Sequence, residues 1–187
     1  MNSNRNRFDI KPLLDSLRAS IGDSEFGYRM QALFAHVLLE LGERITGINQ
    51  QGHPDIKSVK EDRTALFQVK SIAHNYAGGF LIVSPEDVAG IQPSRPDEIG
   101  YFAVLDCATP VSWVVCGYEA IRRHEKCSVN IETIRATADL KFSKECTEVF
   151  ADLLMSHKSS LHLLTFGILR DRALRGEPLK NLQTLYG

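Results

Sequence analysis

Long apolar runs are missing from this chain: no stretch approaches the roughly 20 consecutive apolar residues a bilayer-spanning helix needs. An apolar fraction of 43% beside 24% charged residues is instead the balance of a water-exposed globular protein. The opening MNSNRNR is polar and basic with no apolar stretch behind it, which argues against a secretory signal and for a frayed terminus. Cysteine is scarce. Cys107, Cys116, Cys127 and Cys146 form no C-x-x-C pair, and no His-x-x-x-His pattern accompanies them, so a zinc site is not expected. Reduced, mostly buried thiols of a cytoplasmic protein are. A net charge of -1 gives the whole chain no basic bias, which leaves nucleic-acid binding to a local patch. Lys57, Lys60, Arg63 and Lys70 gather in one region, and Arg170, Arg172, Arg175 and Lys180 in another. Internal repeats and low-complexity tracts are absent too. The single Trp113 and the scattered Phe and Tyr show no stacking-platform spacing and read as core.

What is present is enough chain, 187 residues, to bury a core without a metal or disulfide staple. Met30, Leu33, Phe34, Val37, Leu38 and Leu41 recur at helical spacing, predicting an amphipathic helix over 26–41 with Asp23 or Ser24 as cap and Gly42 as stop. A short segment at 44–48 and apolar runs at 56–59 and 65–72 predict strands, the last two joined by the charged turn 60–63. Ser84 and Pro85 mark a second helix start, and Pro93 and Pro96 its end. Strands follow at 101–105 and 111–115, then helices at 144–155 and 160–174; the stretch 122–140 carries no clear pattern. The expected fold is α/β, a mixed sheet of about five strands in the order αβββαββ, with two added C-terminal helices. Residues 1–22 read as an N-terminal extension, 23–125 as the core, and 126–187 as a helical extension that packs on the core or forms a dimer face. Leu161, Leu164, Ile168 and Leu169 would line that face.

The stretch GHPDIKSVKEDRTALFQVKS carries the chemistry. Gln68 and Lys70 are two apart at the end of a predicted strand and share a face, while Phe67 and Val69 point the other way. Pro54 and Asp55 enter the preceding strand. A helix ending in Leu41-Gly42, Pro54-Asp55-Ile56 entering a strand, and Gln68-Val69-Lys70-Ser71 leaving the next together resemble the PD-(D/E)XK, or restriction-endonuclease-like, nuclease superfamily. The layout is most similar to Holliday-junction-resolvase-like members and to methylated-DNA restriction enzymes, in which Gln replaces the acid before x-Lys. The likeness spans residues 26–115, and its motif residues are few.

The resemblance implies a Mg2+- or Mn2+-dependent endonuclease acting on duplex or branched DNA. Hydrolysis of a phosphodiester needs an activated water and relief of negative charge on phosphorus oxygens, which such an ion supplies. Asp55 would be the anionic metal ligand, the Val69 carbonyl a second, and Gln68 a neutral oxygen. Lys70 would approach the scissile phosphate as a point charge or a base. Lys57, Ser71 and His74 are the expected DNA contacts, and a C2 dimer would supply two sites for two strands.

The chain also departs from that pattern. Where many relatives carry a glutamate on the first helix, the spacing lands on Gln31. With Gln68 and Gln31 both neutral, Asp55 is the one motif carboxylate. A nuclease fold kept only for binding DNA or a partner is therefore the rival expectation. A third draws on His53-Pro54-Asp55, which resembles the tripeptide of J-domain co-chaperones, although there it directly follows a helix.

Overall fold

The computed structural model describes residues 9–48, 54–72, 79–125 and 127–179. Readings placed on residues 1–7, His53, His74 and Lys180 lie outside the described residues. The helix expected at 26–41 is α2 (Asp23–Glu40), and α1 (Lys11–Ile21) precedes it where an N-terminal extension is expected. Gly22, at φ 80°, is the cap residue, so Asp23 sits inside the first turn, where its charge complements the helix dipole. Gly42 takes φ 84° and Glu43 donates its N–H back to the Leu38 carbonyl at 2.9 Å, closing the helix with a left-handed turn.

After α2 the chain lays down β1 (Arg44–Ile48), β2 (Ile56–Lys60) and β3 (Arg63–Ile72) as an antiparallel meander. It then passes through β4 (Phe80–Ile82) and α3 (Pro85–Gly90) and returns as β5 (Glu98–Asp106) parallel to β3. β6 (Ser112–Gly117) completes a five-stranded mixed sheet in the order β1-β2-β3-β5-β6. The chain is thus α/β, as its pattern implied. α4 (Tyr118–Ile121) follows β6, and the stretch 122–140, which carries no clear pattern, holds a 3-10 turn at Arg122–His124, β7 (Ser128–Asn130) and α5 (Ile131–Arg135). β7 pairs with β4 in a separate two-stranded ribbon.

The sheet is covered on both faces. α1, α2, α6 (Leu140–Ser156) and α7 (Phe166–Leu174) bury one face, with Phe67, Val69, Leu105, Trp113 and Val115 beneath them. There Phe34 lies 5.5 Å from Phe67 and 4.4 Å from Trp113, ring centre to ring centre, tying α2 to two strands. The other face, with Leu66, Ile72, Phe102, Val104 and Val114, packs against residues of the α3–α5 region such as Val88, Ile121 and Ile134. The three sequence segments are therefore not separate bodies, because Leu14, Phe67 and Leu169 share one core. Leu161, Leu164 and Leu169 are buried in it, and of the expected dimer-face residues Ile168 alone is exposed. The single helix expected at 160–174 is broken: a 3-10 turn, Leu161–Leu163, precedes α7, whose start is capped by Thr165.

Candidate active site

Alternation along β3 decides which side chains meet. Phe67 and Val69 enter the core under α2, so Gln68 and Lys70 lie on the opposite face with Leu66 and Ile72. The β2–β3 ladder ends at the Ile56–Phe67 pair, one residue short of Asp55 and Gln68. Asp55 closes that end: its Oδ2 accepts the Val69 backbone N–H at 2.8 Å. In a strand the N–H and C=O of one residue point to the same edge, so the Val69 carbonyl also faces the Asp55 side.

Lys70 lies near enough to Asp55 for its charge to act on that carboxyl, and it pairs directly with a residue not among the expected site residues, Asp87. The Lys70 ammonium lies 2.7 Å from Asp87 Oδ1, with the Asp87 side chain only 8% exposed. Asp87 is anchored by a capping box at the start of α3. Its Oδ2 accepts the Ser84 N–H at 3.0 Å, and its own N–H donates to Ser84 Oγ at 3.2 Å. Of the two adjacent acids, Glu86 is exposed and Asp87 turned inward. Burial pushes the Asp55 carboxyl up to about 6; the Val69 N–H and the charge of Lys70 oppose this, and Asp87 adds to it. Asp55 thus senses both partners of the Lys70–Asp87 pair. The signal for Asp87 was in the sequence, since a Ser-Pro-Glu-Asp start puts an acid at the third helical position, where it can face inward.

The other expected site residues are placed as follows. Gln68 is buried at 9% exposure beside this group on β3. Ser71 falls by alternation on the α2 face, away from Lys70. Gln31 rides on α2, whose buried residues belong to that same opposite face, and no hydrogen bond joins it to Asp55, Gln68 or Lys70 among the described residues. Its Oε1 is buried without a hydrogen-bond partner there. Lys57 shares the Lys70 face but lies 3.9 Å from Glu98, and Lys60 Nζ donates to the Leu41 carbonyl, so part of the expected basic patch is already engaged. In the C-terminal group Arg170 pairs with Asp171 and Arg175 with Glu177, while Arg172 is buried.

The donor set suits Mg2+. A carboxylate, a backbone carbonyl and an amide oxygen are hard ligands, and Mg2+ keeps several waters rather than demanding a full protein cage. Among the described residues no group of three or more His, Cys, Asp or Glu side chains could hold an ion, so water, joined by a substrate phosphate once DNA is bound, would complete its shell. Cys107, Cys116 and Cys146 are buried, with Cys107 and Cys116 pushed up to about 12 by burial, which keeps these three out of such chemistry; Cys127 is exposed. Among the described residues no helix is long and apolar enough to cross a membrane.

The arrangement defines a class of site: a lysine paired with a buried aspartate and near a second, half-buried one at the end of a strand pair, in a mixed α/β sheet. No protein-family model matches the chain, and no curated protein matches it.

Proposed function

We propose that the protein is a Mg2+- or Mn2+-dependent endodeoxyribonuclease that hydrolyses phosphodiester bonds in duplex or branched DNA. The observation that carries the reading is the meeting of Asp55, the Val69 backbone and Lys70 at one end of β2 and β3. The element order around them supports it, because the β2–β3 hairpin followed by α3 and β5 is the sequence of elements that the PD-(D/E)XK resemblance calls for.

Asp55, the Val69 carbonyl and the Gln68 amide oxygen would hold the ion. When bound, it supplies charge neutralisation at the phosphoryl oxygens and eases loss of a proton from water. Lys70 sets a positive charge beside the phosphate, stabilising the charge that builds up as phosphorus becomes five-coordinate. The water oxygen forms a bond to phosphorus and gives up a proton. The bond from phosphorus to the leaving sugar oxygen breaks, and that oxygen takes up a proton. The Asp87 carboxylate, buried at the start of α3, holds the Lys70 ammonium in place while the lysine side chain keeps access to solvent and to a phosphate. Cleavage of both strands calls for a second copy of the chain, and the engagement of Leu161, Leu164 and Leu169 in the core leaves that contact to other surfaces.

The rival reading is a nuclease-fold module that binds DNA without turnover, favoured by Gln31, which makes no hydrogen bond to Asp55, Gln68 or Lys70 among the described residues, and by the resident partner on Lys70. Incubation of supercoiled and branched DNA with Mg2+ or Mn2+ separates the two. Wild type should nick or cut, and Asp55→Ala and Lys70→Ala should each slow cleavage by about a hundredfold or more. Binding without cleavage supports the rival, and cleavage untouched by either substitution removes the site.

A further inference from the structure

Charge balance in the pocket points to a role for Asp87. With a glutamate at position 68, the Asp, Glu and Lys of the motif would carry one net negative charge. Gln68 removes that charge, leaving Asp55 and Lys70 to cancel. Yet the pocket is not neutral, because Asp87 arrives from α3 with its Oδ1 2.7 Å from the Lys70 ammonium. We infer that Asp87 is the second acid of this site: from a different element it restores the negative charge that Gln68 lacks, and it positions Lys70 so that ammonium and divalent cation coexist. The inference rests on the proposed nuclease reading and goes beyond it, since the likeness to known nucleases assigns no such acid to the start of α3.

Three observations carry it. Asp87 is buried, and a buried carboxylate is costly unless it is paired and hydrogen-bonded; both of its oxygens are engaged, one by Lys70 and one by the Ser84 N–H. Capping alone would not require that direction, because a third-position acid satisfies the cap equally well from an exposed helix face. The capping box instead locks the carboxylate, so Lys70 meets a fixed partner rather than a mobile surface acid. Without Asp87, a cation beside Asp55 would face an uncompensated ammonium and repel it.

Calorimetric titration of the full chain with Mn2+, in the absence of DNA, tests this without relying on turnover. Asp87→Asn should weaken Mn2+ binding by at least about tenfold, and adding Gln68→Glu should bring it back to within about threefold of wild type. Ser84→Ala loosens the cap but leaves the carboxylate, so its affinity should stay within about twofold. Lys70→Met, which keeps the stem and removes the ammonium, should tighten Mn2+ binding and covers the case in which Asp87→Asn does not fold. Unchanged affinity in Asp87→Asn, no recovery in the double variant, equal weakening by Ser84→Ala, unaltered or weaker binding by Lys70→Met, or no Mn2+ binding by wild type each overturns the inference. The expected pattern in a protein that cuts no DNA upholds the second acid and overturns the nuclease reading alone.

Discussion

The carboxylate of Asp55 accepts the backbone N–H of Val69 at 2.8 Å, so the acid that follows Pro54 is tied to the strand that presents Lys70. This bond favours the ionised form, but burial outweighs it and the carboxyl stays protonated up to about pH 6.

A carboxyl raised in the folded state stabilises the fold at low pH and loses that contribution as pH rises through about 6. Metal-free Asp55→Asn should therefore be more stable than wild type at pH 8, by about 2–3 kcal/mol, with the advantage fading towards pH 4. Urea midpoints at the two pH values check this. An equal difference at both would show that Asp55 is not held in its buried environment.

His36 behaves in the opposite sense. It is buried in α2, and its Nε2 lies 2.9 Å from the Leu169 carbonyl; a carbonyl only accepts, so that nitrogen carries the proton in the neutral ring. Burial, with Arg172 of α7 and His157 at the end of α6 adding positive charge, pushes His36 down to about 4. A histidine lowered in the fold costs stability as pH falls below its unfolded value, because only the unfolded chain takes up the proton. Between pH 7 and 5 this amounts to about 2 kcal/mol, which His36→Gln should not lose. Since Asp55 pulls the other way over the same window, each variant must be compared with wild type at both pH values by denaturant unfolding.

Gly100 offers a structural route to the site. A Cβ there would collide with the backbone carbonyl oxygen of Ile91, the residue that closes α3. Gly100→Ala should destabilise the protein by about 3 kcal/mol, as overpacking against backbone does. It should also displace α3, and with it Asp87, so Mn2+ affinity should fall even in variant protein that remains folded. A melting temperature and a Mn2+ affinity that both match wild type would contradict the close packing of α3 on β5.

The spacing of Met30, Leu33, Phe34 and Val37 made α2 legible, and the charged turn at residues 60–63 made the β2–β3 hairpin so. Alternation likewise told which β3 side chains share a face. It could not tell what lies on that face, because Asp87 reaches Lys70 through a crossover that leaves β3 and returns to it as a parallel neighbour. α1 carries an apolar stripe of Leu13, Leu14, Leu17 and Ile21, but it follows directly on the polar opening of the chain and so reads as part of an extension. β4 and β7, three residues each, are shorter than any reliable alternation. The break before α7 escaped notice because Thr165 caps a helix inside a continuous apolar pattern.

The parallel pairing of β3 with β5, which sets Thr64 beside Glu98, has a kinetic side. The meander of β1 to β3 can form from neighbouring chain, but the crossover that carries Asp87 closes a longer loop, and distant contacts of this kind are slow to form. A partly folded chain holding only the meander would own Asp55 and Lys70 without the acid from α3. Such a species would expose the lysine without its partner, so the pocket comes into being together with the completed sheet.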